Sequence, residues 1–277
     1  MSYSFCLVDV FESGPYSGNP LAVVVADSLS SDDMQTICRW LNFSETAFLQ
    51  TPSDPAASYA VRIFTPEREL PFAGHPTLGA CHVWLSRGGQ AKGTDIVQQC
   101  EAGLIRIRRD GDRLAFAAPP LIRSGPVDDA DLAEIAGVLN IGVEAIVAAE
   151  WADNGPGWAA VRLASATEVL SIRPAGTHHR QIDIGVLGPH AEGHEVAWEI
   201  RTFFTDHLHT IREDPVTGSF NASAAQWLLR EGLARAPWVA AQGTQLGGAG
   251  RIYLGQDDTG QVWVGGRSRT RFEGWTR

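Results

Sequence analysis

A single carboxylate, Glu45, stands in the run Asn42-Phe43-Ser44-Glu45-Thr46-Ala47-Phe48-Leu49, which otherwise reads as a strand. Two readings of it stay open. On a sheet edge it would be an ordinary solvated glutamate sharing a face with Phe43 and Ala47. Partly withdrawn from water among those aromatic neighbours, its carboxyl would have a raised pKa and could take up and return a proton near neutral pH. His75, in Phe72-Ala73-Gly74-His75-Pro76-Thr77, is held extended by the proline after it and would project at the start of the helix that follows. A second turn, Glu213-Asp214-Pro215-Val216-Thr217-Gly218-Ser219, opens another helical run. In both turns Gly, Pro, Ser and Thr fall where backbone N–H groups lack partners and the helix dipole is positive, which suits an anion. Either turn could equally be a plain helix start, since Asp, Ser and Thr cap helices in general. The acids Glu213 and Asp214 beside an anion-seeking tip form a conflict that stability alone does not explain.

The helices behind these turns are apolar on nearly every side. One carries Leu78, Ala80, Cys81, Val83 and Trp84 and runs to Leu85; the other carries Phe220, Ala222, Ala224, Ala225, Trp227 and Leu228 and runs to Leu229. Such helices belong inside a core, and their mouths could face one shared anionic ligand. Around the first, alternation predicts strands over 5–11, 21–26 and 58–64, a helix from Ser30 to about Asn42, and a meander over 95–100, 103–108 and 113–117. Pro119-Pro120 reads as a linker. The second half repeats the order: helix 128–139, strands 143–150 and 158–163, helix 166–172, strands 182–187 and 195–204, then 238–242, 251–254, 261–265 and 269–274 around the second buried helix. The expectation is an α+β protein of two similar domains, 1–118 and 119–265, with a strand from 266–277 completing the first and a cleft between them. Asn19, in Ser17-Gly18-Asn19-Pro20, is either a turn former or a polar group lining a site.

Several function classes are disfavoured. A net charge of −10 over 277 residues, without a basic stripe, repels nucleic acid, although a helix mouth can still bind an anion locally. Cys6, Cys38, Cys81 and Cys100 show no close pairing, the chain starts without a basic, apolar leader, and no run reaches membrane-spanning length, so a soluble cytoplasmic protein with free thiols is expected. GxGxxG, P-loop and GxSxG patterns are missing. His207 and His209 in Asp206-His207-Leu208-His209 would share one face of a strand and could chelate a metal, with His178, His179, His190 and His194 not far in sequence, but no HExxH-type pair completes a shell.

Taken together, Asp9-Val10-Phe11 with Ser17-Gly18-Asn19-Pro20, Ser44-Glu45-Thr46, Phe64-Thr65-Pro66, Phe72-Ala73-Gly74-His75-Pro76-Thr77-Leu78-Gly79 and Glu213-Asp214-Pro215-Val216-Thr217-Gly218-Ser219 closely resemble the phenazine-biosynthesis PhzF-like family. The resemblance implies the diaminopimelate-epimerase fold, two domains that are each a curved, mostly antiparallel sheet or half-barrel around a central helix. It implies a homodimeric isomerase or epimerase that uses neither cofactor nor metal and acts on a small carboxylate-bearing metabolite. Glu45 takes the acid/base role, His75 and Asp214 orient or relay, and Asn19, Ser44, Gly74, Gly218 and Ser219 fall at substrate-binding positions. Related racemases place a cysteine at each helix mouth; here Ala73 precedes Gly74-His75 and Cys81 lies deeper, which favours proton shuttling by one carboxyl group. Phe220-Asn221 and the His207-Leu208-His209 approach depart from the family pattern, which keeps phenazine synthesis itself from being assumed. Two other readings remain, a catalytically silent metabolite-binding protein of the same fold and a metal-dependent hydrolase using His207 and His209.

Overall fold

Alternating buried and half-buried side chains make Ser4–Val10 a strand, β1, paired antiparallel with β2 (Asn19–Val25). The computed structural model describes residues 2–276. By internal contacts the chain forms two units, Met1–Ala117 with Trp263–Arg277, and Ala118–Val262. In the first unit, Ser30 accepts the Asp33 N–H to start α1 (Ser31–Leu41), and Asn42 ends it in the left-handed region. This helix carries the chain from β2 to the parallel strand β3 (Thr46–Gln50). Then follow β4 (Tyr59–Phe64), antiparallel to β3, the short β5 (Glu69–Leu70), the buried helix α2 (Gly74–Ser86), β6 (Ile96–Cys100) parallel to β4, and the meander β7 (Gly103–Asp110) and β8 (Arg113–Ala117).

The second unit starts with β9 (Arg123–Pro126) and α3 (Asp129–Leu139) and then repeats the first in order and in strand direction. β10 (Ala148–Asp153) and β11 (Ala159–Arg162) are antiparallel, and α4 (Ala166–Ser171) crosses to β12 (Asp183–Pro189), parallel to β11. β13 (Trp198–Thr205) and the short β14 (Ile211–Asp214) lead into the buried helix α5 (Gly218–Arg230), after which β15 (Trp238–Gln242) lies parallel to β13 and β16 (Gly250–Gln256) turns back beside it. The chain then returns to the first unit, with β17 (Val262–Gly266) on β8 and β18 (Ser268–Trp275) on β1. In that unit α2 touches β8 and β18 as well as β1 to β4, so the sheet curves around it. Among the described residues no helix is long and apolar enough to cross a membrane.

Two expectations fail locally. The strand expected over 143–150 begins only at Ala148, because the Ala145 and Ile146 N–H groups bond back to the Gly142 and Val143 carbonyls and close a 3-10 turn first. The residues 206–209 are not strand: Asp206 Oδ1 accepts the Leu208 and Thr210 N–H groups, and His209 sits at φ 60°, so the chain turns tightly there.

Phe220, one of the departures from the family pattern, has a packing reason. Its ring fills the space above Gly185 on β12, where an added Cβ would lie 1.9 Å from a ring carbon. Gly185→Ala is expected to destabilise the protein by about 3 kcal/mol, as overpacking does. Adding Phe220→Leu should return much of that in urea denaturation; an unchanged midpoint for the single variant would contradict the close fit.

Candidate active site

Among the described residues, three of the five α-helices start on a side-chain cap, Ser30 for α1, Asp128 for α3 and Ser165 for α4. The two buried ones do not. Neither α2 nor α5 has a side-chain cap or an acid in its first turn, and their first-turn residues are buried. These are the helix starts that the sequence marks as anion-seeking.

In the first unit Gly74 and His75 begin α2. Glu45 precedes β3 rather than lying in it: the left-handed Asn42 ends α1, residues 43–44 bend, and the strand starts at Thr46. The side chain of Glu45 is 17% exposed and that of His75 only 3%, with His75 Nδ1 3.3 Å from Glu45 Oε2. That distance would fit an ion pair, but burial pushes the His75 pKa down to about 3 against the opposing pull of a hydrogen bond with the Pro20 carbonyl. The imidazole is therefore neutral at physiological pH. What faces Glu45 is therefore the Nδ1 edge of an uncharged ring. Ser44 is half-buried beside Glu45 in sequence, and Asn19 is fully buried where β2 begins, opposite Val10. The turn before Asn19 is organised by Asp9, whose oxygens accept the Ser17 and Gly18 N–H groups at 3.2 and 2.8 Å. Gly18 is required there, since a Cβ would sit 2.1 Å from the Val10 carbonyl oxygen. Cys81 lies within α2 with burial pushing its thiol up to about 12, so it is not a thiolate base.

In the second unit Asp214 ends β14 and accepts the Thr217 hydroxyl through Oδ2. Gly218 and Ser219 begin α5. Glu213, the other acid, is structural: it receives two guanidinium hydrogen bonds from Arg201 at 2.9 and 2.7 Å, and Arg201 also donates to the Val169 and Ile172 carbonyls. Half of the conflict seen in Glu213-Asp214 is thus an ion pair across β13 and β14. Because the pair is largely buried, Arg201→Met should cost about 3–5 kcal/mol. Equilibrium unfolding checks this, and a loss below 1 kcal/mol would contradict it.

Sequence reasoning missed the groups that hold Ser219. Trp158 Nε1 donates to Ser219 Oγ at 3.1 Å and Asn154 Nδ2 donates to the Ser219 carbonyl at 2.9 Å. The only sequence signal for them is the turn Asn154-Gly155-Pro156-Gly157, which is tied together by Asp153 Oδ1.

The histidines do not form the strand-face pair expected of a metal hydrolase. His207 and His209 are exposed in the turn after β13. Among the described residues the ligand atoms that do converge are those of Glu134, His178 and His179. There Arg180 already supplies the positive charge, and its hydrogen bonds, ahead of that from His178, hold the Glu134 carboxyl down to about 2.

The family model described as phenazine biosynthesis-like protein matches residues 8–274. The chain belongs to the phenazine biosynthesis-like family. It is 32% identical to Antisense-enhancing sequence 1 of Schizosaccharomyces pombe, covering 98% of both chains. It is 30% identical to the trans-2,3-dihydro-3-hydroxyanthranilate isomerase of Pseudomonas chlororaphis, over 83% of this chain and 81% of that one. Named isomerases therefore stand among the relatives of this phenazine biosynthesis-like chain. A predicted epimerase from Pseudomonas aeruginosa superposes with a TM-score of 0.78 at 25% identity, covering 98% of each chain. A hydroxyproline epimerase from Agrobacterium vitis shares the fold at 13% identity, with a TM-score of 0.61 over 99% and 92% of the two chains.

Proposed function

We propose that this chain is an isomerase or epimerase that moves a proton on a small carboxylate-bearing metabolite, with Glu45 as the general acid/base. The observation that carries the reading is the carboxyl of Glu45, partly shielded, against a buried and neutral His75 at the uncapped start of α2. A neutral imidazole gives no proton of its own at physiological pH, so the Glu45 carboxyl beside it is the group assigned to take a proton from carbon and return it. Anion binding is assigned to the amides of Gly74 and His75 in the first unit and, separately, to those of Gly218 and Ser219 in the second, with Asn19, Ser44 and Asp214 as further binding or orienting groups.

The isomerase relatives support this reading, since their named substrate is a carboxylate on a partly saturated ring. Shifting its double bonds removes a proton from one carbon and adds one to another, which a single carboxyl can perform on one face. Inversion at a carbon wants a base on each face. A homodimer is part of the proposal on family resemblance and a cytoplasmic setting on the four unpaired cysteines, and light scattering of purified protein tests the dimer.

The direct test is incubation with trans-2,3-dihydro-3-hydroxyanthranilate and a panel of small carboxylates in heavy water. Solvent deuterium should enter at a carbon of one of them. Tight binding of a panel member with no exchange would favour a silent binding protein, and neither binding nor exchange across the panel would sink the carboxylate reading.

A further inference from the structure

Each uncapped helix start is held from beneath by a fully buried glutamine on the strand that follows the helix. Gln98 on β6 donates through Nε2 to Thr77 Oγ1 at 2.9 Å and accepts the Tyr59 hydroxyl at 3.0 Å, while Thr77 donates to the Ala73 carbonyl. Gln242 on β15 grips its helix more fully. Its Oε1 accepts the Thr217 N–H at 3.0 Å and Asn221 Nδ2 at 2.9 Å. Its Nε2 lies 3.0 Å from Thr202 Oγ1, 3.1 Å from Thr217 Oγ1 and 3.2 Å from the Asp214 carbonyl oxygen.

The two arrangements correspond residue by residue. Ala73, Gly74, Thr77 and Gln98 match Thr217, Gly218, Asn221 and Gln242, each pair 144 positions apart. Thr77 and Asn221 both bond back to the carbonyl four residues earlier. Burying an amide is unfavourable unless its hydrogen bonds are made, so an apolar side chain would suit a core strand position better on stability grounds. At Gln242 nearly every bond is instead directed at one segment, residues 214–221, which contains the Asp-Pro turn and the first turn of α5.

We propose that Gln242 is a positioning residue: by clasping the Thr217 amide and the Asp214 carbonyl it fixes the direction in which the Gly218 and Ser219 N–H groups point, and Gln98 does the same in lesser degree for α2. The Thr217 N–H is turned inward to Gln242, so the amides that follow it are the ones left to face an anion. Through the Thr217 hydroxyl the same clasp also sets Asp214 Oδ2. The ligand part of this inference rests on the carboxylate-binding reading above; the positioning part does not.

The test uses the full chain and amide hydrogen exchange followed by NMR. Gln242→Met keeps the shape and removes every hydrogen bond, and is expected to speed exchange at Thr217, Gly218 and Ser219 at least tenfold relative to wild type at the same pH, with the rest of α5 changed far less. Ile252→Val, a fully buried change on β16, serves as the control for general loss of stability. If Gln242→Met does not fold, Thr202→Val removes one anchor and should give the same local pattern in weaker form. Exchange raised equally throughout α5, or unchanged at these three amides, overturns the proposal. Titration with anthranilate as a stable ring carboxylate is the second arm, with a tenfold or larger weakening expected in Gln242→Met and less than twofold in the control. Wild type that does not bind anthranilate counts against the ligand reading alone, because the exchange result still decides the role of Gln242.

Discussion

Glu45→Gln should lower turnover by about three to four orders of magnitude while leaving substrate binding within a few-fold of wild type. The amide is nearly isosteric with the carboxyl and the neighbouring imidazole is uncharged, so the shape of the site and the approach to His75 survive. What disappears is the carboxyl assigned to carry the proton, and its neighbours do not replace it, since His75 is uncharged and the Cys81 thiol stays protonated. Steady-state kinetics on whichever carboxylate shows deuterium exchange measures the effect. If the variant keeps more than a tenth of the wild-type rate, Glu45 is not the acid/base.

The stability of the protein toward acid should depend on His75 to an extent visible in simple denaturant titrations. An unfolded histidine titrates near 6.5, whereas the buried ring titrates at about 3. Between these values the unfolded chain binds a proton that the native chain refuses. Stability is then full above pH 6.5 and falls as pH drops toward 3, by up to about 1.4 kcal/mol per pH unit and on the order of 4 kcal/mol in all. Carboxylates elsewhere add their own acid dependence, so the informative quantity is the difference between wild type and His75→Gln. That difference should be constant above pH 7 and shrink steadily on acidification. A difference that stays flat from pH 7 to 4 would show that His75 titrates normally and is not held neutral.

Different parts of this architecture were legible to different degrees, for physical reasons. The buried helices announced themselves because a helix enclosed on all sides has no polar face, which leaves Leu78 to Trp84 and Phe220 to Leu228 almost uninterrupted by charge. Most strands showed as alternation. Glu45 was harder, because the left-handed Asn42 and the bend after it decide where β3 begins, and a strand pattern drawn through residues 43–49 looks equally good. The segment His207-Leu208-His209 imitates strand alternation, while the controlling group is the Asp206 carboxylate one residue earlier.

Long-range partners were hidden for another reason. Glu213 reads as a liability until the pairing of β13 with β14 brings Arg201 to it. Gln98 and Gln242 read as ordinary strand glutamines, since nothing local shows that their amides are enclosed or which turn they serve. The family motifs mark the residues nearest the candidate chemistry, and the groups that hold those residues carry no motif.

The return of β17 and β18 to the first unit has a consequence for biosynthesis. Asp9 and Glu12 are buried near the start of the chain, yet their guanidinium partner Arg271 belongs to the last strand. While the ribosome is still making Ala118–Val262, the first unit has β2 on one edge of β1 but lacks β18 on the other, and it lacks the cation that balances these two acids. The later-made unit has all of its own strands before β18 emerges. The order of folding on the ribosome should therefore run opposite to the order of synthesis, with the N-terminal unit closing last, once its final strand has left the exit tunnel.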